Sequence, residues 1–157
     1  MSVPALASAV AATDPESALQ AIRDRRLRVT ACRRLVVEAL YGAGRPVTAE
    51  EIASGMYGRL PRCDLASVYR NLETLEDAGL AHHMHMGHGP GLYAPAADDQ
   101  EYVACERCGR SQAVPAASLD EVRAAVRHAV GYAASFLHSP LTGLCPACQE
   151  KRDARSR

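Results

Sequence analysis

Tryptophan is absent from this 157-residue chain, and phenylalanine occurs once. Without large rings the core must be aliphatic, and Ala, Leu and Val build it within a hydrophobic fraction of 48%, ordinary for a globular protein. Net charge is absent too, with 18 Lys and Arg against 18 Asp and Glu. The whole chain is therefore no polycation, and nucleic-acid binding would have to rest on a local patch. No apolar run approaches the roughly 20 residues of a membrane span, so a membrane partner is not expected. The opening MSVPALASAVAA has small residues but no basic n-region, and reads as a disordered Ala-rich tail rather than a signal peptide. A cytoplasmic location follows, where thiols stay reduced.

The local patch exists. Arg23, Arg25, Arg26, Arg28, Arg33 and Arg34 fall within one twelve-residue stretch, opposed only by Asp24. Around it, residues 16–27 show helical spacing at Leu19, Ile22 and Leu27. Thr30 is a suitable N-cap for ACRRLVVEALYGAG, with Leu35, Val36, Ala39 and Leu40 as its apolar stripe and Gly42 or Gly44 at its end. Thr48 and Glu51 form a capping box opening a short helix over TAEEIASGMYG. Asp64 opens a longer one with the stripe Leu65, Val68, Leu72 and Leu75, closed by Gly79. LAHHMHM and GLYAP then read as two strands around a Gly/Pro turn. Helix, helix, short helix, helix, hairpin is the order of a winged helix-turn-helix, in which one helix enters the major groove. A generic helical domain with a hairpin is the competing reading.

A composition change at PAADDQ marks a linker. Beyond it EYVAC and SQAVPA read as strands flanking CERCG, SLDEVRAAVRHAVG as an amphipathic helix capped by Ser118, FLHSPLTGLC as a strand interrupted by Pro140, and QEKRDARSR as a frayed charged tail. The fold class expected is α+β. Residues 1–15 form a tail, 16–95 a winged-helix domain, 96–100 a hinge, 101–150 a small α/β domain, and 151–157 a charged tail. So small a second unit buries little surface and needs a staple or a partner.

The staple is legible in the cysteines. Cys105-x-x-Cys108 and Cys145-x-x-Cys148 are two tight turns whose four thiolates complete the tetrahedron that zinc accepts. A four-thiolate site has no open position, so the role is structural; a redox dithiol or two disulfides is the alternative. The remaining Cys32 and Cys63 read either as small apolar fillers or as redox thiols. Four of the six histidines crowd into AHHMHMGHG. On a strand His83 and His85 share one face, opposite His82, Met84 and Met86. Two imidazoles make half a metal site, and His138 is the evident third donor. A polar wing with no metal is the competing reading, and His128 reads as a solvated helix residue.

These motifs together resemble the ferric uptake regulator (Fur) family of metal-dependent repressors, over about residues 16–150. RVTACRRLVVEAL is similar to its first signature, with Cys32 where Gln is usual. DLASVYRNLETLEDAGL is similar to its recognition helix, and CERCG and CPAC match its two zinc-holding pairs. The resemblance implies a homodimer, joined through the second domain, that binds a double-stranded palindromic operator. It puts Ser67, Tyr69 and Arg70 at the groove, with Arg28 and Arg33 on phosphate; Tyr69 as a partial core residue is the alternative. The wing HMHMGHG is most similar to the nickel-responsive branch, which implies a regulatory metal at His83, His85 and His138, with His88 as a further ligand. The metal implied is nickel, with zinc or iron as alternatives. The chain departs from the family at Gln100 and Tyr102, where histidines are usual, at Ala94, and at Pro46, where the DNA-binding domain usually has a histidine. The usual iron, zinc or peroxide-sensing site is thus not expected. Asp98, Asp99 and Glu101 read as a solvated acidic linker rather than as oxygen ligands. A repressor responding to zinc, iron or oxidation, or one with no metal switch, remains the alternative. No general base stands beside an open metal position, so an enzyme is not expected.

Overall fold

The computed structural model of the protein describes residues 12–155. The expected N-terminal tail lies mostly outside them. The described chain falls into two compact units, one running to His83 and including Pro90–Asp98, the other formed by Met84–Gly89 and the chain from Asp99 onward.

The first unit opens with α1 (Pro15–Asp24), α2 (Ala31–Gly42) and a two-residue strand β1 (Val47–Thr48). A single-turn α3 (Ala49–Ala53), α4 (Leu65–Asp77) and the strands β2 (Ala81–His85) and β3 (Gly91–Pro95) follow, in the sheet order β1-β3-β2. Each helix starts where a short polar side chain replaces a missing intrahelical partner. Asp14 accepts from the Ser17 amide, Thr30 from Arg33, Thr48 from Glu51, and Asp64 from Ser67. Cap and periodicity thus agree in sequence and structure. The aliphatic core expected is there: Leu19, Ile22, Val36, Leu40, Ile52 and Leu72 are almost wholly buried.

Three local expectations change. Helix α1 stops at Asp24, because Arg26 turns left-handed at φ 58°, and Leu27 packs on the core from outside the helix. Helix α3 covers five residues rather than running to Gly58. Gly55 ends it at φ 89°, where a Cβ would sit 2.4 Å from the Leu60 carbonyl oxygen, so only glycine fits. Leu65, expected in the α4 stripe, is exposed, while Asn71, outside the expected stripe, is buried.

The second unit is a three-stranded sheet, β4 (Gln100–Cys105), β5 (Ser111–Pro115) and β6 (Leu141–Gly143), in the order β5-β4-β6. Strand β4 runs antiparallel to β5 and parallel to β6. The chain between β5 and β6 is a 3-10 turn (Ala116–Leu119) followed by α5 (Asp120–Val130). Ser118 is therefore no N-cap: it lies in the 3-10 turn, and Leu119 leads into α5 without a side-chain cap. The charged segment expected to fray is helix α6 (Pro146–Arg155), with Pro146 at its first position. No α5 residue is buried. Among the described residues no helix is long and apolar enough to cross a membrane.

Glu51 gathers the start of α3. Its carboxylate accepts from the Thr48 amide at 2.9 Å, from Arg45 at 2.7 Å and from the Tyr57 hydroxyl at 2.8 Å. The Arg45 hydrogen bond chiefly holds its pKa down to about 2, against an ordinary 4.5. A depressed folded-state pKa means that this stabilisation is complete above the ordinary value and is lost as pH falls through the folded one. Glu51→Ala should cost about 1–2 kcal/mol at neutral pH in urea unfolding. The gap between variant and parent should close as pH falls from about 4.5 toward about 2.

Candidate functional site

The four cysteines are brought together by the sheet. Parallel pairing places Cys105, the last residue of β4, opposite Gly143, the last of β6. After Cys105 the chain turns tightly through Gly109 at φ 73°, and after Gly143 it enters the Cys145 turn that opens α6. The Glu106 amide donates to the Gly143 carbonyl at 2.9 Å, locking the two turns side by side. All four sulfurs lie within 4.8 Å of one another. Cys108 Sγ and Cys145 Sγ are 3.8 Å apart. A tetrahedron with Zn–S bonds of about 2.3 Å has edges of about 3.8 Å, so the donor set and its spacing fit structural zinc.

The electrostatics agree. Backbone amides of Cys145, Cys108 and Arg107 point at Cys105 and hold its thiol down to about 6. Burial, and then the neighbouring thiols, push Cys148 up to about 12. Four sulfurs this close cannot all ionise against one another, whereas a divalent cation at their centre would favour every thiolate and release the protons. Cys105 and Cys148 are buried, Cys145 half-buried and Cys108 exposed. Among the described residues this is the one group of three or more His, Cys, Asp or Glu side chains whose ligand atoms converge so closely.

The histidines lie on and near β2. His82 and Met84 are buried while His85 is exposed and His83 half-buried, the alternation expected of a strand. His83 Nδ1 is hydrogen-bonded to the Glu76 carboxylate on α4. The His85 amide donates to the His138 carbonyl at 3.0 Å, and His138 and His88 are exposed at the side chain. Glu76 carried no signal in the sequence beyond a place on the polar side of α4.

On α4, Tyr69 and Arg70 are exposed and Ser67 is half-buried. The Tyr69 hydroxyl donates to Glu50 at 3.0 Å, so it is no core residue. Arg70 donates to Ser67 Oγ at 2.9 Å. Arg28 is exposed; Arg33 donates from Nε to Asn71 Oδ1 at 2.9 Å and from a terminal nitrogen to the Arg28 carbonyl at 2.6 Å. Asn71 in turn donates to the Ser67 carbonyl at 2.8 Å. A buried amide thus joins the start of α2 to α4, which the apolar stripe alone did not reveal.

One acidic residue differs from its expected role. Glu101 is buried and ion-paired to Arg123 of α5, rather than solvated in a linker. Arg123 also donates to Asp120 at 2.9 Å and lies 5.5 Å from the centroid of the Phe136 ring. Asp99 is exposed, as expected.

Cys148→Ser should abolish stoichiometric zinc on metal analysis. It should also remove the thermal transition of the second unit, because removing one ligand from a site that supplies folding energy removes that energy. Cys32→Ser, outside the set, should keep full zinc.

The chain is similar to known proteins over most of its length. Residues 24–137 match the ferric uptake regulator family. The chain is similar to the peroxide operon regulator of Bacillus subtilis, 26% identical over 144 residues that span 92% of this chain and 99% of that protein. Its fold is similar to that of the Helicobacter pylori ferric uptake regulator, at 22% identity and a TM-score of 0.62, covering 86% of this chain and 93% of that one. A zinc uptake regulator solved with zinc and DNA superposes with a TM-score of 0.53 at 21% identity, covering 88% of this chain and 95% of that one. The chain belongs to the ferric uptake regulator family, and is a metal-responsive DNA-binding transcription regulator and not an enzyme.

Proposed function

We propose that the protein is a homodimeric repressor whose operator affinity is set by a metal ion at His83, His85 and His138, with His88 as a further ligand and nickel as the favoured metal. The observation that carries this reading is the Glu76–His83 hydrogen bond. Metal-bound histidines commonly donate their second ring N–H to a carboxylate, which fixes tautomer and orientation. With Nδ1 on Glu76, Nε2 is the nitrogen that would bind a metal. The backbone bond between His85 and His138 supports the same set. Three imidazoles suit nickel, zinc or copper better than magnesium or manganese.

The coupling is mechanical. A ligand shifts a conformational equilibrium only through its differential affinity for the two states, typically about 1–3 kcal/mol. A metal drawing the wing and His138 together would favour one orientation of the DNA-binding unit, the one that fits the half-site spacing. Ser67, Tyr69 and Arg70 would meet base edges, while Arg28 and Arg33 would meet phosphates. A second copy is needed on α5, an amphipathic helix with no buried residue, followed by exposed Tyr132. Similarity to a regulator named for its response to peroxide keeps oxidation as the second reading of the signal.

The test is operator binding by the chelator-treated, zinc-retaining dimer on its own promoter DNA, titrated separately with Ni(II), Zn(II) and Fe(II). One metal should raise affinity about 5- to 150-fold. His83→Ala should leave the curve flat, and Glu76→Gln should weaken the metal's effect about 10- to 100-fold in metal concentration. Equal DNA affinity with and without every metal would sink this reading and leave the wing a polar loop.

A further inference from the structure

Cys32 and Cys63 take no part in the zinc set or the histidine site. They are 31 positions apart in sequence, yet both line one cleft of about 430 Å³, together with Arg34, Glu38 and Arg62. Both are half-buried, so solvent and small molecules reach them. Cys63 and Asn71 both act on the titration of the Cys32 thiol. Neither position is arbitrary. Cys32 is the second residue of α2, next to Arg33. Cys63 immediately precedes Asp64, the N-cap of α4, and its amide is held by the Ala53 carbonyl at the end of α3, at 3.0 Å. The pair spans the two helices whose relative placement defines the DNA-binding face.

We propose that Cys32 and Cys63 form an oxidisable dithiol, closed to a disulfide by a hydroperoxide, and that closure weakens DNA binding. Reactive thiols are partly exposed, as both of these are, and Arg34 and Arg62 line their cleft together with Glu38. Burial, and then the neighbouring Cys63, push the Cys32 thiol up to about 11, which favours Cys63 as the attacking group. The Cys63 thiolate attacks the hydroperoxide. The O–O bond breaks, a sulfenic acid forms on Cys63, and the leaving alkoxide takes up the proton that Cys63 lost, giving an alcohol. Cys32 then attacks the sulfenic sulfur. The S–O bond breaks, an S–S bond forms, and the departing hydroxide leaves as water with the Cys32 proton. Two thiols are oxidised by two electrons, and the peroxide bond is reduced by two.

The consequence for DNA follows from the hydrogen bonds. Two thiols lining one cleft must contract to an S–S bond of about 2.05 Å with a narrow range of torsions. That draws the start of α4 toward the start of α2. Asn71 joins these two helices by its bonds to Arg33 and the Ser67 carbonyl. Closure therefore disturbs a phosphate-facing and a groove-facing position together. Because it acts inside the DNA-binding unit, the switch does not depend on the histidine site.

The test uses the zinc-loaded full chain. After hydrogen peroxide treatment, trypsin should release VTACR (29–33) linked to CDLASVYR (63–70), with zinc still bound. Affinity for promoter DNA should fall about tenfold or more, an ordinary size for an allosteric coupling. A dithiol reductant should restore it. Cys32→Ser and Cys63→Ser should bind DNA as the parent does and ignore peroxide; should either fail to retain zinc, the Ala variant replaces it. The linked peptide is read without DNA or regulatory metal, so failure of the histidine reading leaves this arm intact. Zinc release with both peptides still carrying free thiols overturns the proposal. So does a linked peptide with unchanged DNA affinity.

Discussion

The second unit depends on four sulfur atoms at one end of a three-stranded sheet. Remove them and little is left to hold it: helix α5 buries no residue, and Cys105 and Cys148 are themselves among its few buried side chains. Burial of apolar area, at about 25 cal/mol per Å², cannot offset the chain entropy of a sheet and two helices when so little area is covered. The thiolate set replaces a core. It also explains the topology. A CxxC turn at the end of β4 and another after β6 meet only if those strands run in the same direction, and they do. The parallel pair, unusual in so small a sheet, is the geometry that closing a tetrahedron requires. The Glu101–Arg123 pair then fastens α5 to β4 with a buried carboxylate that would be costly without its partner.

The first unit is held the other way, by an ordinary aliphatic core and by caps. Four helices begin on Asp14, Thr30, Thr48 and Asp64, each satisfying an amide that the helix leaves unpaired. Such caps are local, which is why helix starts were readable. The helix ends were not. Arg26 at φ 58° and the left-handed run from Gly55 to Gly58, with Met56 at φ 50° and Tyr57 at φ 59°, stop helices where propensity alone would let them continue. Non-glycine residues in that region are held by their surroundings, and the Tyr57 hydroxyl bond to Glu51 is one such hold.

The same division governs how much of the candidate sites the sequence revealed. The zinc ligands were legible because two CxxC turns carry their own geometry. The wing face was legible because strand alternation is strict: His82 and Met84 turned inward, His83 and His85 outward. What stayed hidden were partners brought in by tertiary structure. Glu76 is the second-to-last residue of α4, and nothing local marks it as the partner of His83. Asn71 is a buried amide outside the expected stripe of Leu65, Val68, Leu72 and Leu75. Ser118 looked like a cap because a 3-10 turn and a helix start share the same composition. Helix α6 was missed because its charged composition outweighed the proline at its first position.

Glu76 and Asn71 lie five residues apart on α4, and they tie the helix to its neighbours at two points. At its C-terminal end the helix is bonded to the wing histidine through Glu76. Nearer its N-terminus it is bonded to α2 through Asn71 and Arg33. A helix is stiff over its 13 residues, so a displacement imposed at either end is carried to Ser67, Tyr69 and Arg70. Under the proposed readings a metal acts at the first point and an oxidant at the second. The physical requirement for both is one rigid helix whose polar anchors are separate from its apolar stripe. That requirement is met by α4: Val68, Leu72 and Leu75 fix its position in the core, while Glu76 and Asn71 fix its orientation. Core packing tolerates small rotations that hydrogen bonds do not, since a hydrogen bond weakens steeply with misalignment. The orientation of α4 is therefore set by few bonds, among them Glu76 to His83 and Asn71 to Arg33.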